Sequence, residues 1–196
     1  MESAAQCGVS RRRFLVSIVS LPVLSYSASA PAAEKFSLAN TVYERVGREA
    51  DIDPVLLYAL TCVESAVAAG EAKEGLMQPY PWTLRYAGQP FYGKDKKEAE
   101  AKLKSIMTRH RRPNVDIGIA QINSIWHGHR VKHLTDLLDP YINLKIAADI
   151  LNECLALYPK DAFRAIGAYH SGNKKKAERY ARFVVRLYTT LKEKEG

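Results

Sequence analysis

The segment from Pro54 to Ser65 constrains the fold more than any other part of the chain, because its pattern predicts a buried helix. Asp53 is a natural N-cap residue, and proline suits the first position of a helix. Apolar residues recur at the helical period, at Leu56, Ala59, Leu60 and Val63. The next residue is Glu64, so the predicted helix carries a carboxyl group at the edge of its buried face.

Glu64 is the candidate catalytic residue. It lies in the last turn of the predicted helix, where the helix dipole opposes a negative charge. Burial also disfavours the charged form of a carboxyl group. A carboxyl group that keeps its proton near neutral pH is what a general acid requires. A solvated glutamate at a helix end would give the same pattern, so the assignment depends on the rest of the chain.

Residues 1–33 have the composition of an export signal. Three arginines precede an apolar run over residues 14–24, and a small-residue cleavage pattern follows at 28–30. We expect cleavage between residues 28 and 33, which leaves a periplasmic domain over 34–196. Both the general secretory route and the twin-arginine route accept such a start. The apolar run is shorter than the ~20 residues of a membrane span, although an uncleaved anchor is the alternative.

Length and charge narrow the functional classes. A chain of 196 residues is typical of one domain, and the formal net charge of +8 makes it basic. A basic protein suits an encounter with anionic polymers of the cell envelope, although the same charge also serves solubility. The sequence contains neither the Cys/His spacing of a metal site nor a glycine-rich phosphate loop. We therefore expect no metal and no cofactor.

Two cysteines follow the export signal, Cys62 on the predicted Glu64 helix and Cys154 on a later one. Export would place both in an oxidising compartment, where disulfides form. The pattern is consistent with a disulfide between the two helices and, almost equally, with two buried thiols.

The remaining pattern is mainly helical. Alternating aromatic and polar residues from Tyr80 to Tyr92, around Ala87-Gly88, predict a short hairpin. Further helices are predicted over residues 37–49, 95–109, 139–158, 161–169 and 174–192, with a turn and a short helix over 116–126. The predicted fold is mainly α, with one short β-hairpin.

Three segments together resemble the soluble lytic transglycosylase (SLT) domain, which has a lysozyme-like fold. They are Ala59-Leu-Thr-Cys-Val-Glu-Ser65, Gly118-Ile-Ala-Gln-Ile-Asn123 and Ala168-Tyr-His-Ser-Gly172. The family pattern is a helix ending in Glu-Ser, then Gly-Leu-Met-Gln, an apolar residue and Asn, and finally Ala-Tyr-Asn-Ala-Gly. The resemblance covers residues 38–191 and implies a lysozyme-like domain over 34–196.

Within this family the chain is most similar to the small transglycosylases that accompany conjugative type IV and type III secretion machines. Those proteins carry Asp-[Tyr/Ile/Val]-Gly-Leu-Met-Gln-[Ile/Val]-Asn-x-x-Trp, and residues 116–126 follow this pattern. Tyr80-Pro-Trp-Thr-Leu84 also looks like a stretch of a conjugation-associated branch. The resemblance implies local opening of the cell wall for such a machine.

A second copy of the family string, Gly75-Leu-Met-Gln78, competes for the role of the substrate loop. It is followed by Pro79-Tyr-Pro81, which cannot continue a helix. Gly118–Asn123 has instead the Ile-Asn continuation, an upstream aspartate and a downstream tryptophan. We therefore assign the substrate loop to Gly118–Asn123.

The resemblance implies a peptidoglycan lytic transglycosylase that cleaves the β-1,4 bond between MurNAc and GlcNAc. In this family one glutamate acts as acid and then as base, and the muramyl 6-hydroxyl closes a 1,6-anhydro ring in place of attack by water. Glu64 takes that catalytic role. The residues expected to bind the glycan or support the site are Ser65, Gly118, Gln121, Asn123, Tyr169 and His170.

Each supporting residue has an expected role. Gln121 and Asn123 would hold sugar amides and hydroxyls or fix the loop, and Tyr169 would hydrogen-bond beside the acid or the sugar. Ser65 would support the acid or its backbone. Gly118 would let the backbone approach the glycan closely.

The chain departs from the family pattern after Tyr169, where His170 and Ser171 replace Asn and Ala. Histidine brings a titratable ring towards the site. Alternatively, His170 only caps the end of its helix.

Asp116 supports an alternative reaction. The string Asp-x-Gly-Ile-x-Gln-Ile-Asn also resembles the segment of animal lysozymes in which the aspartate is the second catalytic carboxylate. Facing a cleft, Asp116 would serve a hydrolytic muramidase as nucleophile or electrostatic stabiliser. As the cap of the following short helix, it would be structural.

Two non-enzymatic functions are weaker interpretations. An inactive scaffold that binds glycan would lose the acid, whereas Glu64, Gln121 and Tyr169 are all present. Basic residues at 109–112 and along the last helix would suit nucleic acid, but the export signal and the lack of a nucleic-acid module argue against it. We expect a monomer that binds peptidoglycan strands.

Overall fold

Side-chain caps set the starts of most helices in the computed structural model, which describes residues 35–65 and 78–195. Thr41, Asp95, Asp139, Asp161 and Asn173 each accept a hydrogen bond from a backbone N–H of the first turn that follows. The seven α-helices of these ranges are α1 (Val42–Ala50), α2 (Pro54–Ser65), α3 (Lys96–Arg109), α4 (Ser124–His127), α5 (Pro140–Leu157), α6 (Ala162–His170) and α7 (Lys174–Lys194). The expectation of a mainly α fold is confirmed.

The predicted hairpin is present but belongs to a larger sheet. Strands β1 (Thr83–Tyr86) and β2 (Gln89–Tyr92) are antiparallel, and both turn residues, Ala87 and Gly88, have positive φ. Strand β3 (Val115–Ile117) pairs with β1, and β4 (Ile122–Asn123) pairs with β3, which gives the order β2-β1-β3-β4. Residues 116–126 are therefore not only a turn and a helix. Strands of two or three residues are too short to show a period-2 pattern in sequence.

Helix α2 lies at the centre of the helical part. It packs against α1 and α7. The predicted apolar stripe was partly wrong: Ala59 and Leu60 are buried, but Leu56 and Val63 are only half-buried. Val55, Leu57 and Cys62, outside the predicted stripe, are buried instead. A helix with neighbours on several sides is apolar nearly all round, so its pattern does not define one face.

A polar contact holds the start of α2 in place. Asp53 accepts a hydrogen bond from the Val55 backbone N–H (2.8 Å), as expected for an N-cap. Its second carboxylate oxygen accepts one from the Tyr188 hydroxyl of α7 (2.9 Å). One side chain thus fixes α2 relative to α7, and with it the position of Glu64 at the far end of α2.

The disulfide considered for Cys62 and Cys154 is not formed. Cys62 lies beside Tyr43 and Tyr58, whereas Cys154 lies near Tyr169. Burial raises the pKa of the Cys62 thiol to about 12 and also raises that of Cys154. Since the two side chains face different neighbours and burial disfavours the thiolate, the alternative of two buried thiols holds.

Two expectations lie outside the described ranges. One is the export signal at 1–33. The other is the competing string at Gly75–Gln78, of which only the exposed Gln78 is described. Within residues 35–65 and 78–195, no helix has the length and apolar character that a transbilayer segment needs.

Candidate active site

A groove of about 740 Å³ lies beside the C-terminal end of α2. One side is formed by β1, β3 and the turn before β4, and the other by α6 and α7. The lining residues are Val63, Glu64, Arg85, Asp116, Gln121, His170, Lys175, Lys176, Arg179, Tyr180 and Phe183. A second depression of about 490 Å³ over the sheet shares Arg85 and Asp116 with the groove. Together they give an extended surface of the kind that a polymer requires.

Glu64 reaches this groove from the last turn of α2, and its side chain is 13% exposed. No lysine or arginine of the described residues pairs with it. Among the described residues, the one basic side chain within ion-pair distance of Glu64 is His170, whose Nδ1 lies 3.5 Å from Glu64 Oε1. The carboxyl group is thus largely desolvated and still reachable from the groove.

Two tyrosines lie behind Glu64, Tyr180 buried and Tyr169 half-buried. The Tyr169 hydroxyl donates to the Ala120 carbonyl (3.2 Å), and burial, together with Glu64 and Cys154, raises the pKa of Tyr169 well above its usual value. Burial, Glu64 and Tyr169 likewise raise the pKa of Tyr180, although the geometry between the Tyr180 hydroxyl and Glu64 is not that of a hydrogen bond. Both phenols therefore stay protonated at neutral pH. Tyr169 donates its proton to Ala120, whereas the Tyr180 O–H is available as a donor beside the carboxylate.

His170 does more than end helix α6. Its ring stacks on Tyr180, with centroids 4.4 Å apart and planes 5° from parallel, and its side chain is 42% exposed to the groove. Stacking holds the imidazole edge towards Glu64. The alternative, that this histidine only caps the helix terminus, does not account for this arrangement.

Gly118 serves the fold in a way that the sequence did not suggest. It has φ +80°, and a Cβ built there would lie 2.4 Å from both Asn143 Nδ2 and the Leu137 carbonyl oxygen. The close approach is therefore to α5 and the segment before it, and Gly118 is not among the residues that line the groove. Its expected contact with glycan is replaced by an internal one.

Asn143 organises the loop between β3 and β4. This side chain is 0% exposed, donates to the carbonyls of Ile117 and Leu137 (2.8 Å each), and accepts from the Ala120 N–H (2.8 Å). All its hydrogen bonds are to backbone, so it fixes the course of the chain on both sides of Gly118. Sequence reasoning missed Asn143. The available signal was a polar residue at a core position of an otherwise apolar helix.

Gln121 holds the end of the same loop from a strained backbone. It has φ +47°, an uncommon conformation outside glycine. Its Nε2 donates to the carbonyls of Gly118 (2.9 Å) and Thr83 (3.2 Å), which ties the loop to β1. Its Oε1 is buried and accepts no hydrogen bond from the described residues. The Gln121 side chain therefore fixes the loop through its amide nitrogen and also lines the groove.

Asn123, rather than Asp116, caps helix α4. Asn123 Oδ1 accepts from the N–H groups of Ile125 and Trp126, and its Nδ2 donates to Asp116 Oδ1 (2.7 Å) and Asn114 Oδ1 (2.6 Å). Asp116 lies on β3, opposite Arg85, and lines the same groove as Glu64. The capping role considered for Asp116 is wrong, and its carboxylate faces the site.

Ser65 acts on the neighbouring segment and not on Glu64 itself. It is 2% exposed, donates to the Thr61 carbonyl (3.1 Å) and accepts from the Tyr80 N–H (3.1 Å). This bond joins the end of α2 to the chain that enters β1. The expected support of Glu64 is therefore indirect, through the position of the helix end.

The described residues contain no cluster of three or more His, Cys, Asp or Glu side chains suited to a metal ion. The residues that line the groove supply two carboxyl groups, an imidazole, the Tyr180 phenol and several basic side chains.

Comparison with known proteins gives one family. The model of the transglycosylase SLT domain matches residues 42–184, which include every residue of the groove. Searches of curated proteins and of solved structures find no significant match. The matched region spans most of the chain, and the chain belongs to the transglycosylase SLT domain family, of the lytic transglycosylase type that acts on peptidoglycan.

Proposed function

We propose that the protein is a lytic transglycosylase that cleaves the β-1,4 bond between MurNAc and GlcNAc and leaves a 1,6-anhydro-muramyl end. The observation that carries the proposal is the position of Glu64, 13% exposed in the groove and without a lysine or arginine partner among the described residues. A carboxyl group that is sheltered from solvent and still reachable from the groove is placed to give a proton to a bound glycan and to take one back.

One carboxyl group accounts for both halves of the reaction. Glu64 gives its proton to the glycosidic oxygen, the bond from that oxygen to muramyl C1 breaks, and the 2-acetamido carbonyl of the substrate stabilises C1. The Glu64 carboxylate then takes the proton of the C6 hydroxyl, whose oxygen bonds to C1. The Tyr180 phenol, kept neutral by burial, lies beside Glu64 and offers a proton donor to the carboxylate once that group is charged.

Hydrolysis is the second candidate, because Asp116 lines the same groove. A muramidase of this kind would use Asp116 as nucleophile or electrostatic stabiliser while Glu64 acts as the acid. Against this, Asp116 Oδ1 already accepts a short hydrogen bond from Asn123, whose other amide atom caps α4. A carboxylate held by the loop in this way favours a role in orienting the loop.

Mass spectrometry of muropeptides released from purified peptidoglycan tests the proposal. We expect anhydro-muramyl products from the wild type and, by analogy with other single catalytic groups, at least about a thousandfold less from Glu64→Gln. Asp116→Asn should keep anhydro products at a reduced rate. Reducing-end products that vanish in Asp116→Asn would establish the muramidase instead, and no product from folded protein would point to a glycan-binding scaffold.

We further propose that the protein works in the periplasm and opens the wall locally for a conjugation or secretion machine. The export pattern of residues 1–33 and the resemblance of residues 116–126 support this placement. A reporter fused after residue 33 should be exported. In cells that lack this protein, conjugative transfer or secretion should be restored by the wild type and not by Glu64→Gln. Equal restoration by both proteins would reject the role in wall opening.

A further inference from the structure

The groove beside Glu64 has a basic wall that the proposed reaction does not use. Lys175, Lys176 and Arg179 of α7 and Arg85 of β1 line it, and all four are exposed. None of them forms an ion pair within the described ranges. Some basic residues elsewhere form ion pairs, for example Arg45 with Glu49, Arg130 with Glu153 and Arg182 with Glu178, and others are also unpaired. What distinguishes these four is that they line one groove together with Glu64.

Three of the lining residues form a row along α7. Lys175, Arg179 and Phe183 are spaced at i, i+4 and i+8, so they lie above one another on one face of the helix. The row is about 12 Å long at 1.5 Å per residue. Phe183 is 55% exposed, which is unusual for phenylalanine, and it also lines the groove. The wall therefore offers two cations followed by an apolar ring.

The sugar rings of the glycan do not explain this wall, because the hydroxyl and acetamido groups of GlcNAc and MurNAc are uncharged. The peptide stem attached to the muramyl lactyl group is different. It carries free carboxylates on its acidic residues and at its C-terminus, together with the methyl groups of alanine. Carboxylates match lysine and arginine, and alanine methyl groups match an exposed aromatic ring.

We propose that the row of Lys175, Arg179 and Phe183 on α7 binds the acidic peptide stem of the muramyl residue, with Lys176 and Arg85 completing the basic surface. The inference rests on the proposed function, because it assigns a substrate feature to the same site. A stem held along α7 positions its own muramyl unit beside Glu64. The enzyme is thereby selective for glycan that carries peptides with free carboxylates.

A matched pair of double variants tests this inference. Lys175→Gln with Arg179→Gln removes two charges from the groove. Lys97→Gln with Arg186→Gln removes two charges from exposed positions outside it, one of them on the same helix. Substrates are untreated peptidoglycan and the same material with its stem carboxylates converted to amides. The readout is the ratio of kcat/KM on the two substrates.

We expect the wild type and the control variant to prefer untreated over amidated peptidoglycan by about tenfold, as charge-assisted contacts would give. The groove variant should lose most of this preference, mainly through KM, because stem binding is made equally in ground and transition states. Equal kcat/KM of the wild type on the two substrates would overturn the inference. A control variant that loses as much of the preference as the groove variant would also overturn it, and would indicate a general attraction to a polyanion instead.

Binding separates this inference from the proposed reaction. In a Glu64→Gln background, the affinity for a soluble glycan with intact stems should fall about tenfold on amidation and in the groove variant. Equal affinity in all cases rejects stem recognition even if anhydro products are formed. Selective binding without any product from the wild type would keep stem recognition and reject the transglycosylase.

Discussion

The two walls of the groove use their polar side chains in opposite ways. On the sheet side, most hydrogen-bonding groups of Gln121, Asn123 and the buried Asn143 bind backbone groups or, for Asn123, neighbouring side chains of the sheet wall. On the helical side, Lys175 and Arg179 have no charged partner among the described residues. The sheet wall is a scaffold that holds a loop in shape, whereas the helical wall offers groups that a ligand can bind.

This contrast changes how the family motif is understood. The Gly-x-x-Gln-Ile-Asn segment resembles a substrate-binding string, yet Gly118, Gln121 and Asn123 mainly make a strained loop possible. Such strain persists only where the surroundings over-determine it. Substitutions on the sheet wall should therefore damage stability first, and substitutions on the helical wall should damage activity or selectivity first.

The largest loss of stability is expected for Gly118→Ala. The added Cβ would meet Asn143 Nδ2 and the Leu137 carbonyl at 2.4 Å, in a left-handed backbone conformation. We expect a loss of about 4 kcal/mol in the free energy of unfolding, from strain and a displaced hydrogen-bond network. Gly88→Ala is the matched control, because it has φ +77° and nothing within 4 Å, and should lose only about 1 kcal/mol. Equal losses in urea unfolding would show that the contact with α5 is not tight.

Asn143→Ala should follow, with a loss of about 3 kcal/mol. It leaves two carbonyls and one N–H buried without partners, and each costs roughly 1 kcal/mol. Asn152→Ala, on the same helix, removes a single bond to the Ala50 carbonyl and should lose about 1 kcal/mol. Activity of Asn143→Ala should fall at temperatures where it is still folded, because the loop loses its support. Full activity there would mean that the loop geometry does not matter to the reaction.

The two tyrosines behind Glu64 allow a finer test. Tyr169→Phe loses the bond to the Ala120 carbonyl, and we expect a loss of about 1 kcal/mol in thermal or urea unfolding. Tyr180→Phe removes a buried hydroxyl that makes no hydrogen bond with the described residues, so stability should stay the same or rise. Its turnover should nevertheless fall if the phenol assists the charged Glu64. Unchanged turnover would limit Tyr180 to packing.

His170→Asn, which restores the family residue, should have only a small effect on stability. Loss of stacking on Tyr180 should cost about 1 kcal/mol or less. The imidazole Nδ1 also lies 3.5 Å from Glu64 Oε1, so its removal should change turnover more than stability. Turnover equal to that of the wild type would leave His170 only a stacking role.

Local and periodic features could be predicted from the sequence. Caps such as Asp53 and Asp95 act within one turn, and the hairpin depends on two residues, Ala87 and Gly88. The same holds for the presence of Glu64 near the end of an apolar helix. The second half of the sheet was missed, because β3 and β4 are short and are stabilised by pairing with β1 and with each other rather than by their own composition.

The sequence by itself determined that the chain is mainly α, where most of its helices begin (α1 begins at Val42 and not at residue 37), and which residues are candidates for the chemistry. Only the tertiary structure decided what those candidates contact: that Gly118 faces Asn143, that Asn123 takes the cap from Asp116, and that His170 stacks on Tyr180 next to Glu64. The physical reason is that capping and periodicity act over a few residues, whereas these contacts join segments up to about a hundred residues apart in the chain. Such contacts depend on how the elements pack together.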